Sequence, residues 1–157
     1  MVKVREEAEE VAQDTFVKAF DSLEQFRGDS KFSSWLYSIA YRKALDRIRK
    51  NKRQKTSELI EEVTEGDIGI LDNGLEQLEQ KERKELIKNS IMELAETDAA
   101  IITLYYFEDQ SVKEISEITK LSEDNIKIKL YRSRKKLFTL LQGYVLPEIN
   151  KTNGKAI

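Results

Sequence analysis

The sequence predicts an all-α protein made of two small helical domains. The 157 residues are 39% hydrophobic and 36% charged, with six Gly and one Pro, a balance typical of helix-rich proteins and not of β-sandwiches or barrels. Apolar residues recur at three- and four-residue spacing in two stretches, and a polar, acidic segment separates them. A chain of this length can form two small cores.

Several classes of protein are excluded by composition. The chain has no Cys and no His, which excludes disulfides, thiolate zinc sites and Cys or His nucleophiles. The remaining Asp, Glu, Lys and Tyr form no catalytic constellation, so we expect no catalytic residues, no metal and no cofactor. No apolar run approaches membrane-spanning length, and acidic residues follow Met1–Arg5 where a signal peptide would be apolar. We therefore expect a cytoplasmic protein without membrane insertion.

Charge is distributed in blocks, although the net charge is only -2. Ten basic residues face two acidic ones over 27–55, and nine face three over 120–157, whereas nine acidic residues face three basic ones over 56–84. Two basic regions suggest two separate contacts with a polyanion, because Lys and Arg neutralise phosphates. The alternative is that these are solvated helix faces.

The first domain is predicted to contain two helices. One runs from Val4 to Phe26, and a turn at residues 27–30 separates it from a second helix over about 31–53. Helical spacing favours Phe16 and Phe20 as core residues of the first helix, and Trp35 as a core residue of the second.

The second domain is expected to follow a flexible acidic linker with three glycines. The predicted divisions are residues 1–55, the linker 56–74, the second domain 75–142 and a tail 143–157. Two helices should meet near Glu96, with Thr97 as the N-cap of the second. Gly143, Pro147 and Gly154 argue against a long terminal helix.

A helix-turn-helix is the most informative motif. Ser111 and Glu114 have the spacing of a capping box, and Ser122 can cap the next helix only a few residues later. A core-facing set should come from the first helix and the turn: Val112, Ile115, Ile118 and Leu121. A short helix followed by a long basic one is the unit that places its second helix in the DNA major groove.

The second helix of this motif, predicted over Glu123–Leu141, has two distinct faces. At 100° per residue its buried stripe contains Ile126, Leu130, Leu137 and Leu141. The opposite face and its flanks contain the candidate duplex contacts: Asp124, Asn125, Lys127, Ile128, Lys129, Arg132, Arg134 and Lys135. Ile128 points outward, where it could contact a thymine methyl, and Asn125 could pair with adenine, whereas Arg132 and Arg134 suit phosphates. The alternative is a core helical hairpin with a solvated basic face.

Two stretches of the chain resemble bacterial sigma factors of the extracytoplasmic-function (ECF) group. Residues 9–53 resemble conserved region 2, through the runs 12–20 (AQDTFVKAF), 26–40 (FRGDSKFSSWLYSIA) and 44–50 (ALDRIRK). Residues 94–141, with the helix-turn-helix and the run 126–137 (IKIKLYRSRKKL), resemble region 4. Region 2 is the more specific signal, because helix-turn-helix units occur in many regulators.

The resemblance implies roles for particular residues. The clamp helices of the RNA polymerase β′ subunit would bind Gln13, Asp14, Phe16 and Lys18. The loop over 26–32 would capture a flipped base of the minus-10 promoter element, for which aromatic and basic side chains are suitable. The implied minus-10 contacts are Phe26, Arg27, Lys31, Phe32, Arg42 and Arg49. Region 4 would bind the minus-35 duplex, and an anti-sigma factor is a further implied partner.

The chain departs from the family pattern in three places. The family has another helix before Glu6, so we expect region 2 without its first helix. Arg42 stands where Asn is common, so the family's minus-10 base preference is not carried over. Leu94-Ala95 replaces the usual Leu-Pro.

The sequence thus favours a sigma factor that binds core RNA polymerase and promoter DNA. A stand-alone helix-turn-helix regulator would bind duplex DNA as a symmetric dimer, and it would not need the aromatic and basic cluster at 26–37. A purely protein-binding helical adaptor would not need the basic face of the recognition helix.

Overall fold

The computed structural model describes residues 1–52 and 80–153, with side chains placed for 1–51 and 80–142. Within these residues all regular secondary structure is helical, which confirms the all-α prediction. A 3-10 helix at Leu23–Gln25 accompanies six α-helices: α1 (Arg5–Asp21), α2 (Phe32–Lys52), α3 (Gln80–Met92), α4 (Glu96–Tyr106), α5 (Val112–Thr119) and α6 (Glu123–Asn153). The predicted linker over 56–74 lies outside the described residues.

Helices α1 and α2 form an antiparallel hairpin. The Arg47 guanidinium of α2 donates to the Glu10 carboxylate of α1, and the Asn51 amide donates to Glu7 at 3.0 Å, so the end of α2 lies beside the start of α1. Helix α1 ends at Asp21, five residues before the predicted Phe26, and the 3-10 helix completes the segment.

The expectation that Phe16 and Phe20 are core residues is wrong. They are 65% and 80% exposed, and the residues of α1 that are buried are Thr15 and Ala19. Small residues let the two helices approach closely, and Phe16 and Phe20 lie beside this contact, where they line an open concavity. Trp35, also expected in the core, is half-buried.

The main core belongs to α4, α5 and α6. Its fully buried side chains are Ile101, Ile102, Ile115, Ile118 and Ile126. Tyr41 of α2 is buried in the same cluster, with Tyr37 and Leu45 packed against it. The α1–α2 hairpin therefore packs directly on the helix-turn-helix domain.

Two helix boundaries differ from the prediction. Helix α4 begins at Glu96 with Ala95 as its N-cap, so Thr97 is already inside the helix and the prediction that it caps α4 is wrong. The predicted end of the recognition helix near Leu141 is also wrong, because α6 continues through Gly143 and Pro147 to Asn153. Gly143 lowers helix propensity and Pro147 cannot donate a hydrogen bond to residue i−4, but an existing helix continues past both without a new nucleation step. In the described part of the chain no helix is long and apolar enough to cross a membrane.

Candidate nucleic-acid interface

The turn of the helix-turn-helix is held by local hydrogen bonds. Both halves of the predicted capping box form: the Ser111 hydroxyl accepts from the Glu114 backbone N–H at 3.2 Å, and the Glu114 carboxylate accepts from the Ser111 N–H at 2.8 Å. Lys120, the C-cap residue that follows α5, has a φ of 62°. The Ser122 hydroxyl then accepts from the Asn125 N–H at 3.3 Å, as expected for the cap of α6. These bonds fix where the recognition helix begins.

Helix α6 has the two faces that the sequence predicts, except that Leu141 of the predicted stripe is half-buried and is not part of the core cluster. Ile126 and Leu130 are buried and Leu137 is packed against the core, whereas Ile128 is 51% exposed. From the preceding helix and the turn, Ile115 and Ile118 are buried, and Val112 and Leu121 pack against the same cluster. Ile128 is thus an apolar side chain open to solvent on a charged surface.

The predicted minus-35 residues differ in solvent exposure and in their ion-pair partners. Six of them are exposed: Asp124, Asn125, Lys127, Ile128, Arg132 and Arg134. Lys129 and Lys135 are half-buried. Lys127 lies 3.3 Å from Asp124 within α6, whereas the Lys129 ammonium lies 2.8 Å from Asp98 of α4. The structure thus brings most of the set to one surface and ties Lys129 to another helix.

Three aromatic rings meet where the loop after α1 joins α2. The Phe26 ring centroid lies 5.6 Å from that of Phe32 and 5.3 Å from that of Trp35, and those of Phe32 and Trp35 are 5.5 Å apart. Gly28 has a φ of 78°, a backbone conformation that glycine adopts without strain. Phe32 and the loop residue Arg27 are exposed. We refer to Phe26, Phe32 and Trp35 as the aromatic cluster.

A polar concavity of about 370 Å³ adjoins the aromatic cluster. It is lined by Lys18, Ser22, Gln25, Trp35, Ile39, Arg42, Lys43 and Asp46. The Arg42 guanidinium donates two hydrogen bonds to Ser38 of the same helix, at 3.0 Å to its backbone carbonyl and 3.2 Å to its hydroxyl. Arg49 lies seven residues, about two turns, after Arg42 in α2. Its side chain is exposed, and its guanidinium lies 3.4 Å from the Asp46 carboxylate. The sequence reasoning missed Lys43, for which the basic run beside Arg42 was the available signal.

Three contacts join this region to the helix-turn-helix domain, and we call them the clasp. The Lys31 ammonium lies 2.8 Å from the Glu114 carboxylate. The Ser34 hydroxyl donates to the side-chain carbonyl of Gln110 at 2.9 Å in a buried position, and the Tyr37 hydroxyl donates to Glu108. The partners are more than 70 residues apart in sequence, so no local pattern could have predicted them.

The clasp changes the titration of two groups. Hydrogen bonding to Glu108, together with burial, raises the pKa of the Tyr37 hydroxyl to about 12. The Lys31 ammonium, with the Ser111 N–H and hydroxyl, lowers the pKa of the Glu114 carboxyl to about 2. Glu114 therefore remains charged at neutral pH, and this carboxylate both caps α5 and binds the loop that carries Lys31.

The predicted polymerase-binding residues do not share one side of α1, because at 100° per residue Phe16 and Lys18 lie about 160° apart, on opposite flanks of the buried Thr15 and Ala19. Gln13, Asp14, Phe16 and Lys18 are all exposed. Phe16 also lines an apolar concavity of about 530 Å³ with Val17, Phe20, Leu23, Phe32 and Leu36. Exposed aromatic side chains on one surface are typical of a protein-binding site.

Two family models match this chain, one over the α1–α2 hairpin and one over the helices of the helix-turn-helix domain. Sigma-70 region 2 matches residues 1–54, and Sigma-70 region 4 matches residues 84–137. The chain is 32% identical over 142 residues to the ECF RNA polymerase sigma factor SigM of Bacillus subtilis, covering 89% of this chain and 83% of the relative. The chain belongs to the ECF sigma factors of the sigma-70 family. It is therefore a promoter-recognition factor of transcription initiation.

Other relatives agree with this membership. The RNA polymerase sigma-H factor of Pseudomonas aeruginosa is 31% identical, with 87% of this chain and 74% of the relative covered. The fold resembles that of the sigma factor RpoE of Bartonella quintana, solved with the anti-sigma factor NepR. That match has a TM-score of 0.67 at 21% identity and covers 90% of this chain and 84% of the other. In this sigma factor, α1 and α2 lie in region 2, and the helix-turn-helix lies in region 4.

Proposed function

We propose that this sigma factor binds core RNA polymerase through α1, holds the minus-10 strand at the aromatic cluster and reads the minus-35 duplex with α6. It supplies recognition and no covalent catalysis, since the polymerase forms the bonds. This role places it in the cytoplasm, with the polymerase and the promoters. An anti-sigma factor is a further proposed partner, because the structurally similar RpoE binds one.

The outward face of α6 carries the minus-35 part of the proposal. Ile128 is an exposed apolar residue among basic ones, and a thymine methyl in the major groove would bury it. Asn125 lies close to the start of the helix, the part that contacts base edges when a recognition helix enters the groove. The exposed Arg132 and Arg134 lie further along, together with the half-buried Lys135, where phosphate contacts set the orientation on the duplex. Asp124 and Lys127 lie beside Asn125 in the same interface.

The aromatic cluster supports the minus-10 part. Unstacked bases bind to aromatic faces, and basic residues follow the phosphate backbone. Phe32 is 48% exposed, and Arg27 is exposed in the same loop. Arg42 and Arg49 extend the basic surface along α2, and Lys31 lies between the loop and region 4.

The exposed Phe16 side chain on α1 supports the polymerase part. Burial of an exposed Phe16 side chain would contribute about 2 kcal/mol by its apolar area alone. Gln13 lies about 60° from Phe16 around α1 and can supply a polar contact beside this apolar centre. Asp14 and Lys18 lie about 160° from Phe16 and would contact the polymerase from other sides of the helix.

Run-off transcription with purified core polymerase and a pool of promoters tests the proposal. The full-length protein should direct initiation, and Phe16→Ser should lower core binding without unfolding the protein. Glu85→Ser, an exposed change on α3, is the control and should leave core binding intact. Failure of the full-length protein to bind core or direct initiation would refute the proposal. If it still bound duplex DNA, it would be a stand-alone regulator.

Two substitutions in α6 test the minus-35 assignment. Arg132→Ala should weaken promoter binding by a similar factor on every sequence, because a phosphate contact carries no base information. Asn125→Ala should relax one base position, with a loss of about 1–3 kcal/mol of discrimination there. An equal loss on all sequences for Asn125→Ala would show that it does not read a base.

A further inference from the structure

Lys129 is held differently from the other basic residues of the recognition helix. Its ammonium lies 2.8 Å from the Asp98 carboxylate, and the two side chains are only 29% and 26% exposed. Asp98 is in the first turn of α4, so the pair joins two helices across 31 residues of sequence. The carboxylate is also stabilised there by the positive end of the α4 helix dipole.

The neighbouring pair on α6 provides a direct comparison. Lys127 and Asp124 are both in α6, 3.3 Å apart, and their side chains are 60% and 88% exposed. An exposed pair within one helix contributes little and leaves the lysine available to a phosphate. The Lys129 pair is shorter, less exposed and connects different elements.

The position of Lys129 makes this connection relevant to DNA reading. At 100° per residue, Lys129 lies about 40° from Asn125 and about 100° from Ile128 around α6. Its neighbour Leu130 is buried, so Lys129 lies at the border between the core face and the DNA face. A fixed contact at this border resists rotation of α6 about its own axis, and this rotation determines where Asn125 and Ile128 point.

We propose that Lys129 is a positioning residue for minus-35 readout: its ion pair with Asp98 sets the rotation of α6, and it makes no phosphate contact. The inference rests on the proposed function of α6. A phosphate close enough to bind Lys129 would also approach the Asp98 carboxylate, and the repulsion between these anions opposes such a contact.

Replacement of Asp98 distinguishes a positioning role of Lys129 from a phosphate-binding role, because the two roles predict opposite changes in DNA affinity. The holoenzyme of full-length protein and core polymerase is titrated with a promoter selected from a library randomised at the minus-35 element. The same promoter with a scrambled minus-35 element measures non-specific binding. Asp98→Asn should weaken binding to the selected promoter by roughly three- to fivefold. Binding to the scrambled promoter and the dependence of affinity on salt should stay unchanged.

The phosphate role predicts that Asp98→Asn releases Lys129 to the DNA. Affinity for both promoters would then rise, and the slope of log affinity against log salt would steepen by about 0.9. That result, or no change in any quantity, would overturn the inference. Asp98→Glu should restore binding to the selected promoter, a rescue that general destabilisation of region 4 would not explain.

Matched controls separate failure of this inference from failure of the proposed function. Glu85→Gln, which removes an exposed carboxylate of α3 outside the DNA-facing surface, should leave the specific affinity within twofold of the parent protein. Asn125→Ala reports on duplex reading itself. If Asn125→Ala alters base preference but Asp98→Asn has no effect, only the positioning role fails. If the parent protein does not distinguish the selected from the scrambled promoter, the minus-35 assignment fails.

Discussion

Lys120 ends α5 in a conformation that L-amino acids rarely adopt. Its φ of 62° and ψ of 22° are left-handed, and its backbone N–H donates to the Ser116 carbonyl at 2.8 Å. The left-handed conformation costs a non-glycine residue roughly 1–2 kcal/mol. The tight angle between the two helices of the motif therefore depends on one strained residue.

Lys120→Gly should stabilise the protein. Relief of the left-handed strain exceeds the additional chain entropy of Gly in the unfolded state, so we expect a gain of up to about 1 kcal/mol in the free energy of unfolding. Glu117→Gly, exposed within α5, is the control and should cost about 1 kcal/mol. Urea unfolding measures both, and a loss of stability for Lys120→Gly would contradict this explanation.

Glu114 makes stability depend on pH in acid. Its pKa is about 2 in the folded protein against an ordinary value of 4.5, so its contribution is complete above about pH 4.5. The contribution declines as the pH falls from there through about 2, where the folded protein also binds the proton. Glu114→Gln keeps a capping side chain but removes the charge that binds Lys31.

Unfolding free energies measured at pH 6 and pH 3 test this linkage. The Glu114→Gln variant should lose less stability between these pH values than the parent protein. Glu117→Gln, on the exposed side of the same helix, should retain the parent dependence. An identical pH dependence in parent and Glu114→Gln would show that the carboxylate is not linked to folding.

At the scale of elements, the sequence predicted where the helices lie better than it predicted which face of each helix is buried. The capping box at Ser111 and the stripe containing Ile126 and Leu130 depend on contacts within a few residues, and both are confirmed. In α1 the apolar residues are spread around the helix, and periodicity favoured Phe16 and Phe20. The choice of Thr15 and Ala19 depends on how closely α2 approaches, which local sequence does not determine.

Stability measurements test whether α1 turns Thr15 and Ala19 towards α2, as in the structure, or Phe16 and Phe20, as the periodicity favoured. Phe20→Ser should change the free energy of unfolding by less than about 0.5 kcal/mol, because the side chain is 80% exposed. Ala19→Leu should cost about 1–3 kcal/mol, since the larger side chain must enter the contact with α2. Circular dichroism during urea unfolding provides the measurement. A loss of 3 kcal/mol or more for Phe20→Ser would instead indicate a core position.

In the candidate site, too, features set by neighbouring residues were predictable from the sequence, whereas contacts between residues far apart in sequence were not. The exposed face of α6 follows from helix geometry alone, and the sequence placed Ile128 on it correctly. The pairing of Lys129 with Asp98 and the contacts of the clasp join residues 31 or more positions apart. Such contacts depend on how whole helices pack, so they could be found only in the structure.

At the scale of the whole molecule, regions 2 and 4 share a core. Tyr41 of α2 is buried with Ile101, Ile115 and Ile126 in one cluster. The buried hydrogen bond between Ser34 and Gln110 adds a second connection between the regions. The described parts of the two regions should therefore unfold together.

Ile101→Ala tests this cooperativity. Its fully buried side chain lies in region 4, and truncation should cost about 2–5 kcal/mol. The chain's one tryptophan, Trp35, lies in region 2, so its fluorescence follows that region while circular dichroism follows all helices. Both signals should shift to the same lower urea midpoint. A tryptophan transition that stays in place would show that the regions unfold independently.

The ion pair between Lys31 and Glu114 also affects how promoter affinity should be interpreted. Lys31 cannot hold the Glu114 carboxylate and a DNA phosphate at full strength at once, because both anions compete for one ammonium group. If Lys31 contacts the minus-10 strand as proposed, strand binding would exchange one anion for another. Its net free energy is the difference between two ion pairs, and a change at Glu114 in region 4 would alter affinity at the opposite end of the promoter.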